Sequence, residues 1–287
     1  MLIAFVNNKG GVGKSTLAVH AAVWLHEQGL RVTLVDADAQ GSSAAWIARV
    51  QPEIRVEQLL QSHEIISQIP RLQVGCDVVI ADGPAALGSA TVSLLGIANR
   101  AILPVGPSLM DINATYQTVR MIYRTRFQYA ISEHQDAFLV FNRVQPRTRL
   151  ARLAAAAIVK LGLPVAPTVV QLRQAYAEAS GLGSVVWRMG KTAVSASNEL
   201  MDLFVTLFDM NRAQSVKNEQ TAALRRTHDA LVLKQRARPA SDLLTRLQQD
   251  PPEHFVAANP PFSSKTAVAE SVGNQHRQPT FTTDGRE

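Results

Sequence analysis

A glycine-rich loop constrains this chain more than any other feature. Lys9-Gly10-Gly11-Val12-Gly13-Lys14-Ser15-Thr16 lies between a short apolar run, Leu2 to Val6, and an apolar-periodic stretch, Leu17 to Gln28. Strand, loop and helix in that order form a phosphate cradle at the carboxyl end of a strand. The glycines let successive N–H groups turn toward one anion. The helix beginning near Lys14 adds its positive end. In this pattern Lys14 reaches the β- and γ-phosphates and the Ser15 hydroxyl holds Mg²⁺. Gly10, Gly11, Val12, Gly13 and Thr16 complete the cradle.

The rest of the chain to about residue 210 alternates apolar runs with helical stretches. Each connection is too long for a hairpin, so the expected fold is α/β. It is a doubly wound, mainly parallel sheet of six strands flanked by helices, a P-loop NTPase architecture. The runs are Leu2 to Val6, Arg31 to Val35, Asp77 to Asp82, Arg100 to Val105, Ala137 to Arg143 and Thr168 to Val170. Residues 48–72 read as a polar helical connection. Residues 211–249 read as a helical extension, with helices near 222–236 and 241–249. That extension is either a partner-docking segment or a dispensable one. Residues 250–287, rich in Pro, Ser, Thr and Asn without a period, read as a disordered tail.

Carboxylates fall where such a sheet presents its ligand site. Asp36 and Asp38 follow the second run, and Asp82 ends the third. Asp82 has the Walker B placement, which orients Mg²⁺ and its waters. Asp and Ser near residue 42 also suit a helix cap. The single cysteine, Cys76, excludes an intramolecular disulfide and reads as a packed side chain. No apolar run reaches the roughly 18–20 residues of a membrane span, and no secretory signal opens the chain. A cytoplasmic protein is expected.

The formal charge of +6 is unevenly placed: −2 over residues 1–118, +8 over 119–191 and zero over 192–287. A polyanion-binding surface would draw on Arg120, Arg124, Arg126, Arg147, Arg149, Arg152, Lys160, Arg173, Arg188 and Lys191. The other reading of these residues is a set of solvated helix faces.

Lys9, Asp36-Ala37-Asp38-Ala39-Gln40-Gly41 and Pro104-Val105-Gly106-Pro107-Ser108 together resemble the deviant-Walker ATPases of the ParA/MinD family, as does Arg173 to Ala179. The resemblance covers residues 1–210. It is strongest for small ParA proteins without an N-terminal DNA-reading domain. It implies that Lys9 reaches across an ATP-sandwiched homodimer to the partner's nucleotide. It further implies that Asp38 places the attacking water with Asp36 nearer the metal, and that Asn142 lies near the adenine. Arg143 belongs either beside it or to the basic surface. Ala39 departs from the usual proline, and Gly83 from the usual threonine after the Walker B aspartate. The implied activity is slow, Mg²⁺-dependent ATP hydrolysis stimulated by a ParB-like or other cargo-bound adaptor, in DNA partition. The ATP-bound dimer would sit on nonspecific DNA and hence on the nucleoid. Two alternatives share the loop chemistry: a MinD-like positioning ATPase on a membrane surface, and a ParA-like ATPase serving conjugation or secretion. A cluster-loading protein would need paired cysteines.

Overall fold

The computed structural model describes residues 1–128 and 136–208. The side chain of Arg126 and the features expected beyond residue 210 lie outside the described residues. Six strands form one sheet: β1 (Leu2–Phe5), β2 (Val32–Asp36), β3 (Arg55–Gln58), β4 (Val78–Asp82), β5 (Arg100–Val105) and β6 (Asp136–Phe141). Their order is β3-β2-β4-β1-β5-β6, and all five pairings are parallel. Four of the six strands, β1, β2, β4 and β5, are buried at every position. Near-continuous apolar runs follow from burial on both faces.

The helices are α1 (Lys14–Glu27), α2 (Ser42–Val50), α3 (Ser62–Gly75), α4 (Ser89–Ile97), α5 (Leu109–Gln128), α6 (Arg149–Ile158), α7 (Gln174–Leu182) and α8 (Val194–Phe208). One face of the sheet is covered by α1, α2, α7 and α8, which bury Leu17, Ile47, Ala179 and Phe204. The other is covered by α3 to α6, through Ile65, Leu94, Ile122 and Ile158. The sheet is therefore doubly wound, as expected.

Two elements differ from the sequence reading. The stretch read as a helical connection contains β3, an edge strand. Its residues Arg55-Val56-Glu57-Gln58 are only partly buried, and Arg55 pairs with Glu57 at 2.6 Å. Charges on an edge strand discourage pairing with other chains, and they also erase the apolar signal. Conversely, 168–170 forms no strand. Only isolated bridges, Leu139 to Val165 and Val144 to Gln171, run beside β6.

The chain leaves β1 toward β2 and β3 on one side and β5 and β6 on the other. The carboxyl end of β1 is therefore the switch point where open sheets bind ligands. The register sets Asp36 opposite Asp82, and Asp82 opposite Phe5, two residues before Asn7.

The far end of α8 is tied down by Arg100, buried in β5. Its guanidinium donates to the Leu207 carbonyl, pairs with Asp136 at 3.1 Å and lies 5.4 Å from the Phe138 ring centroid. Phe204, fully buried, packs on Trp24 and Phe208 with centroids 5.8 and 5.5 Å away. Phe204→Ala is expected to lower unfolding free energy by about 3–5 kcal/mol. Denaturant titration should show an earlier midpoint with unchanged slope.

Candidate functional site

The loop leaves β1 and turns into α1 through two glycines with left-handed backbone, Gly11 (φ 72°) and Gly13 (φ 98°). Gly13 is also the N-cap of α1. A β-carbon there would collide with the Asn142 amide, so only glycine fits on both counts.

Two buried asparagines hold the loop. Val6 makes the last β1–β5 backbone bond, to Ile102. Beyond it the Asn7 side chain continues the connection, donating to the Pro104 carbonyl (2.7 Å) and the Thr115 hydroxyl (2.8 Å). Its oxygen accepts from the Lys9 N–H (3.2 Å). From the end of β6, Asn142 donates to the Val12 carbonyl at 2.7 Å. Arg143, itself at φ 58°, donates to the Gly11 carbonyl. Arg143 thus braces the loop in this structure. Asn7 was absent from the sequence reading; a polar residue ending a buried strand just before the loop was the available signal.

Lys14 is almost fully buried, and its ammonium donates to the Lys9 carbonyl at 3.4 Å. Burial pushes its pKa down, while Asp82 and then Asp38 hold it up. The Lys9 ammonium makes no hydrogen bond or ion pair among the described residues.

Asp36, fully buried, uses both oxygens on backbone. One accepts from the Asp38 N–H (3.0 Å) and the other from the Ala44 N–H (2.9 Å) in the first turn of α2. That helix has Gly41 at its N-cap, which offers no side-chain cap; Asp36 supplies the missing acceptor. Asp36 therefore sets the Asp38 segment, whose carboxylate in turn accepts from the Gln40 N–H at 3.0 Å.

Asp82 contrasts with it. It is fully buried, yet neither carboxylate oxygen has a hydrogen-bond partner among the described residues. Burial raises its pKa to about 7. The Ser15 hydroxyl opposes that rise, Asp36 adds to it, and Ser43 and then Lys14 oppose it more weakly. Ser15 and Ser43 are thus close enough to influence the carboxylate without reaching hydrogen-bond geometry. A buried carboxylate with free lone pairs beside a hydroxyl fits magnesium, which takes one or two carboxylates, keeps several waters and completes its shell with phosphate oxygens. Ser15 and Asp82 are the residues that would hold it. Gly83 follows Asp82 where a β-carbon would press within 2.9 Å of the Phe5 carbonyl, so threonine would not fit this backbone.

Beside the loop lies a cavity of about 260 Å³ walled by Gly11, Gly13, Asn142, Leu172, Tyr176 and Ser180, among others. Asn142 lines it, although its amide is committed to Val12. The wall from Val170 to Ser180 combines the irregular stretch before α7 with the first two turns of α7, a stretch whose sequence pattern points to no cavity. A larger cavity of about 420 Å³ opens at the amino ends of β2 and β3, far from the loop. Its Arg31 and Arg55 are paired with Asp77 and Glu57.

The basic candidates divide into two groups. Arg173 is paired with Glu199 (2.6 Å), which also accepts from Tyr176. Arg188 is paired with Glu27 (2.6 Å) and donates to the Val50 carbonyl. Both hold α7, α8 and the intervening turns in place. Arg120 and Arg124 on α5, Arg147 and Arg149 beside α6, and Arg152 and Lys160 are exposed. None of these six has a carboxylate partner among the described residues. Lys191 is exposed too, but on the face covered by α8.

With that geometry in place, comparison with known proteins is informative. Residues 3–186 match the CobQ/CobB/MinD/ParA nucleotide-binding domain. The maintenance of carboxysome distribution protein A of Halothiobacillus neapolitanus is 33% identical over 202 residues, 69% of this chain and 92% of that one. Protein ParA of Rhizobium radiobacter is 24% identical over 205 residues, 69% and 91%. An ATP complex of Cyanothece McdA superposes with TM-score 0.61 at 14% identity, covering 72% and 95%. The chain belongs to the ParA/MinD family of deviant-Walker nucleotide-binding proteins.

The raised pKa of Asp82 makes stability depend on pH. Between the ordinary carboxyl range and about pH 7, the folded chain binds more protons than the unfolded chain. Stability contributed by Asp82 therefore falls as pH rises through that window and levels off above it. In nucleotide-free, EDTA-treated protein, Asp82→Asn should flatten that part of the stability profile. Denaturant midpoints from pH 4.5 to 8 would measure it.

Proposed function

We propose that this chain is a Mg²⁺-dependent ATPase of the partition type, which positions cargo by binding nonspecific DNA as an ATP-sandwiched dimer. The observation that carries the DNA half is the set of six exposed basic side chains from α5 to the turn after α6, none of them paired with a carboxylate among the described residues. The loop, Asp38 and the unpartnered Asp82 carry the ATPase half.

In this reading the loop N–H groups and Lys14 bind the phosphates, and the cavity lined by Asn142 takes the base. Mg²⁺ at Ser15 and Asp82 would offset phosphate charge during transfer. Asp38, set by Asp36, orients the attacking water. Lys9, whose ammonium has no acceptor among the described residues, reaches the partner's phosphates. Hydrolysis then removes the charge that holds the two copies together and releases DNA. An adaptor bound to the cargo accelerates that step. A ParB-like protein on DNA is one such adaptor. The Halothiobacillus relative is named for carboxysome distribution, so a protein compartment carried on the same DNA matrix is the second candidate cargo. A protein working this way is cytoplasmic and nucleoid-associated when ATP-bound.

DNA binding should require ATP and weaken steeply with salt. Arg149→Ala with Arg152→Ala should lower affinity for all sequences and reduce the slope of log K against log salt by about 2. Fluorescence anisotropy with duplexes of unrelated sequence measures both. Equal DNA affinity with and without ATP would sink the proposal. Lys9→Ala should bind nucleotide as a monomer and lose the ATP-dependent dimer, read by light scattering.

A further inference from the structure

Ser43 has entered so far only through its weak effect on Asp82. It is the second residue of α2, its side chain is completely buried, and its hydroxyl has no partner among the described residues. A buried, unpaired hydroxyl costs folding free energy that alanine would avoid. The neighbouring residues Ala44 and Ala45 show that the turn accepts alanine. Its position is also fixed. The next backbone N–H, of Ala44, is held by Asp36 at 2.9 Å, which fixes the backbone that carries the Ser43 side chain. Near it lies the Asp82 carboxylate, whose charge the Ser43 hydroxyl favours and whose two oxygens equally have no partner among the described residues. Two buried polar groups from different elements, each without a hydrogen-bond partner among the described residues, thus lie close together beside the phosphate loop.

We propose that Ser43 is a positioning residue for the divalent cation: its hydroxyl donates to one Asp82 oxygen and so leaves the other turned toward the hydrated ion. Because Asp36 grips the adjacent N–H and also the Asp38 N–H (3.0 Å), Ser43 links the metal carboxylate to the segment that carries Asp38. The inference rests on the nucleotide reading above. It adds a connection between cation binding and the Asp36–Asp38 segment that runs through one side chain.

The test is equilibrium binding of mant-ATP to the full chain, titrated with MgCl₂ and repeated in EDTA. Ser43→Ala should raise the Mg²⁺ concentration for half-maximal effect about tenfold, the size expected for one hydrogen bond to a charged group. Its affinity in EDTA should stay within about twofold of wild type, because no loop contact has changed. A Mg²⁺ titration identical to wild type overturns the assignment, whatever happens to the melting temperature. An equal loss of affinity with and without Mg²⁺ also overturns it, since that is the mark of a structural role. In both cases wild-type binding of mant-ATP leaves the nucleotide reading standing. A wild-type chain that binds no mant-ATP overturns that reading and this inference with it.

Discussion

Two amide side chains decide the shape of the phosphate loop. A chain leaving a parallel sheet loses its ladder of backbone bonds, and the groups next in line must find partners elsewhere. Asn7 and Asn142 supply them from opposite ends of the loop. Asn7 bonds Pro104 and Thr115 behind the loop's start, and Asn142 bonds the Val12 carbonyl near its end. With the Lys9 N–H turned to Asn7, the Val12 carbonyl to Asn142 and the Gly11 carbonyl to Arg143, the loop's remaining N–H groups are left to face an anion. Gly13 is where the two demands meet, since its left-handed turn and missing β-carbon admit the Asn142 amide. Cradle and helix start then follow from local sterics.

The carboxylates around the loop are arranged by a division of labour. Asp36 and Asp82 stand opposite one another on adjacent strands, equally buried. One is saturated with backbone N–H donors and the other has no hydrogen-bond partner among the described residues. The donors make Asp36 a structural anion that organises the chain around Asp38. Their absence leaves Asp82 costly to ionise, offset only in part by Ser15, Ser43 and Lys14. A cation delivered with phosphate is what such a group is suited to receive. The burial of Lys14 fits the same logic, because a desolvated ammonium gains more from a phosphate than an exposed one.

Much of this was legible in the sequence where chemistry and local structure coincide. The loop, Asp36, Asp38 and Asp82 each follow an apolar run whose burial made the strand visible. The strand β3 was illegible for the opposite reason. At a sheet edge, Arg55 and Glu57 pair with each other instead of marking a core. The stretch 168–170 misled because an apolar run can pack beside a strand end without joining a ladder. Asn142, expected near the adenine, lines the cavity beside the loop and also donates to the Val12 carbonyl. Which role an amide takes depends on what its neighbours leave unsatisfied, and a linear pattern does not carry that. Asn7 was missed because it looks ordinary until burial makes it consequential, and Ser42 and Ser43, read as cap candidates, follow the actual N-cap Gly41.

Charge shows the same limit from another side. The +8 of residues 119–191 is not +8 of available surface. Arg173 and Arg188 contribute to that sum, yet Glu199 and Glu27 claim their guanidiniums, and the first acid lies outside the segment in sequence. Glu27 lies still further away, at the end of α1. A polyanion responds to cations that are exposed and unneutralised, so a count along the chain overstates its field. What survives that correction is clustered rather than scattered. Arg147, Arg149 and Arg152 sit within one turn and the start of α6, and Arg120 and Arg124 lie on α5, which packs against it. The turn bearing Arg147 leaves β6 directly after Arg143, the residue that braces Gly11. The basic surface and the phosphate loop are therefore joined by about four residues of chain. A change in the loop on nucleotide binding has a short route, through the Arg143–Gly11 hydrogen bond and that stretch of chain, to the surface proposed to hold DNA.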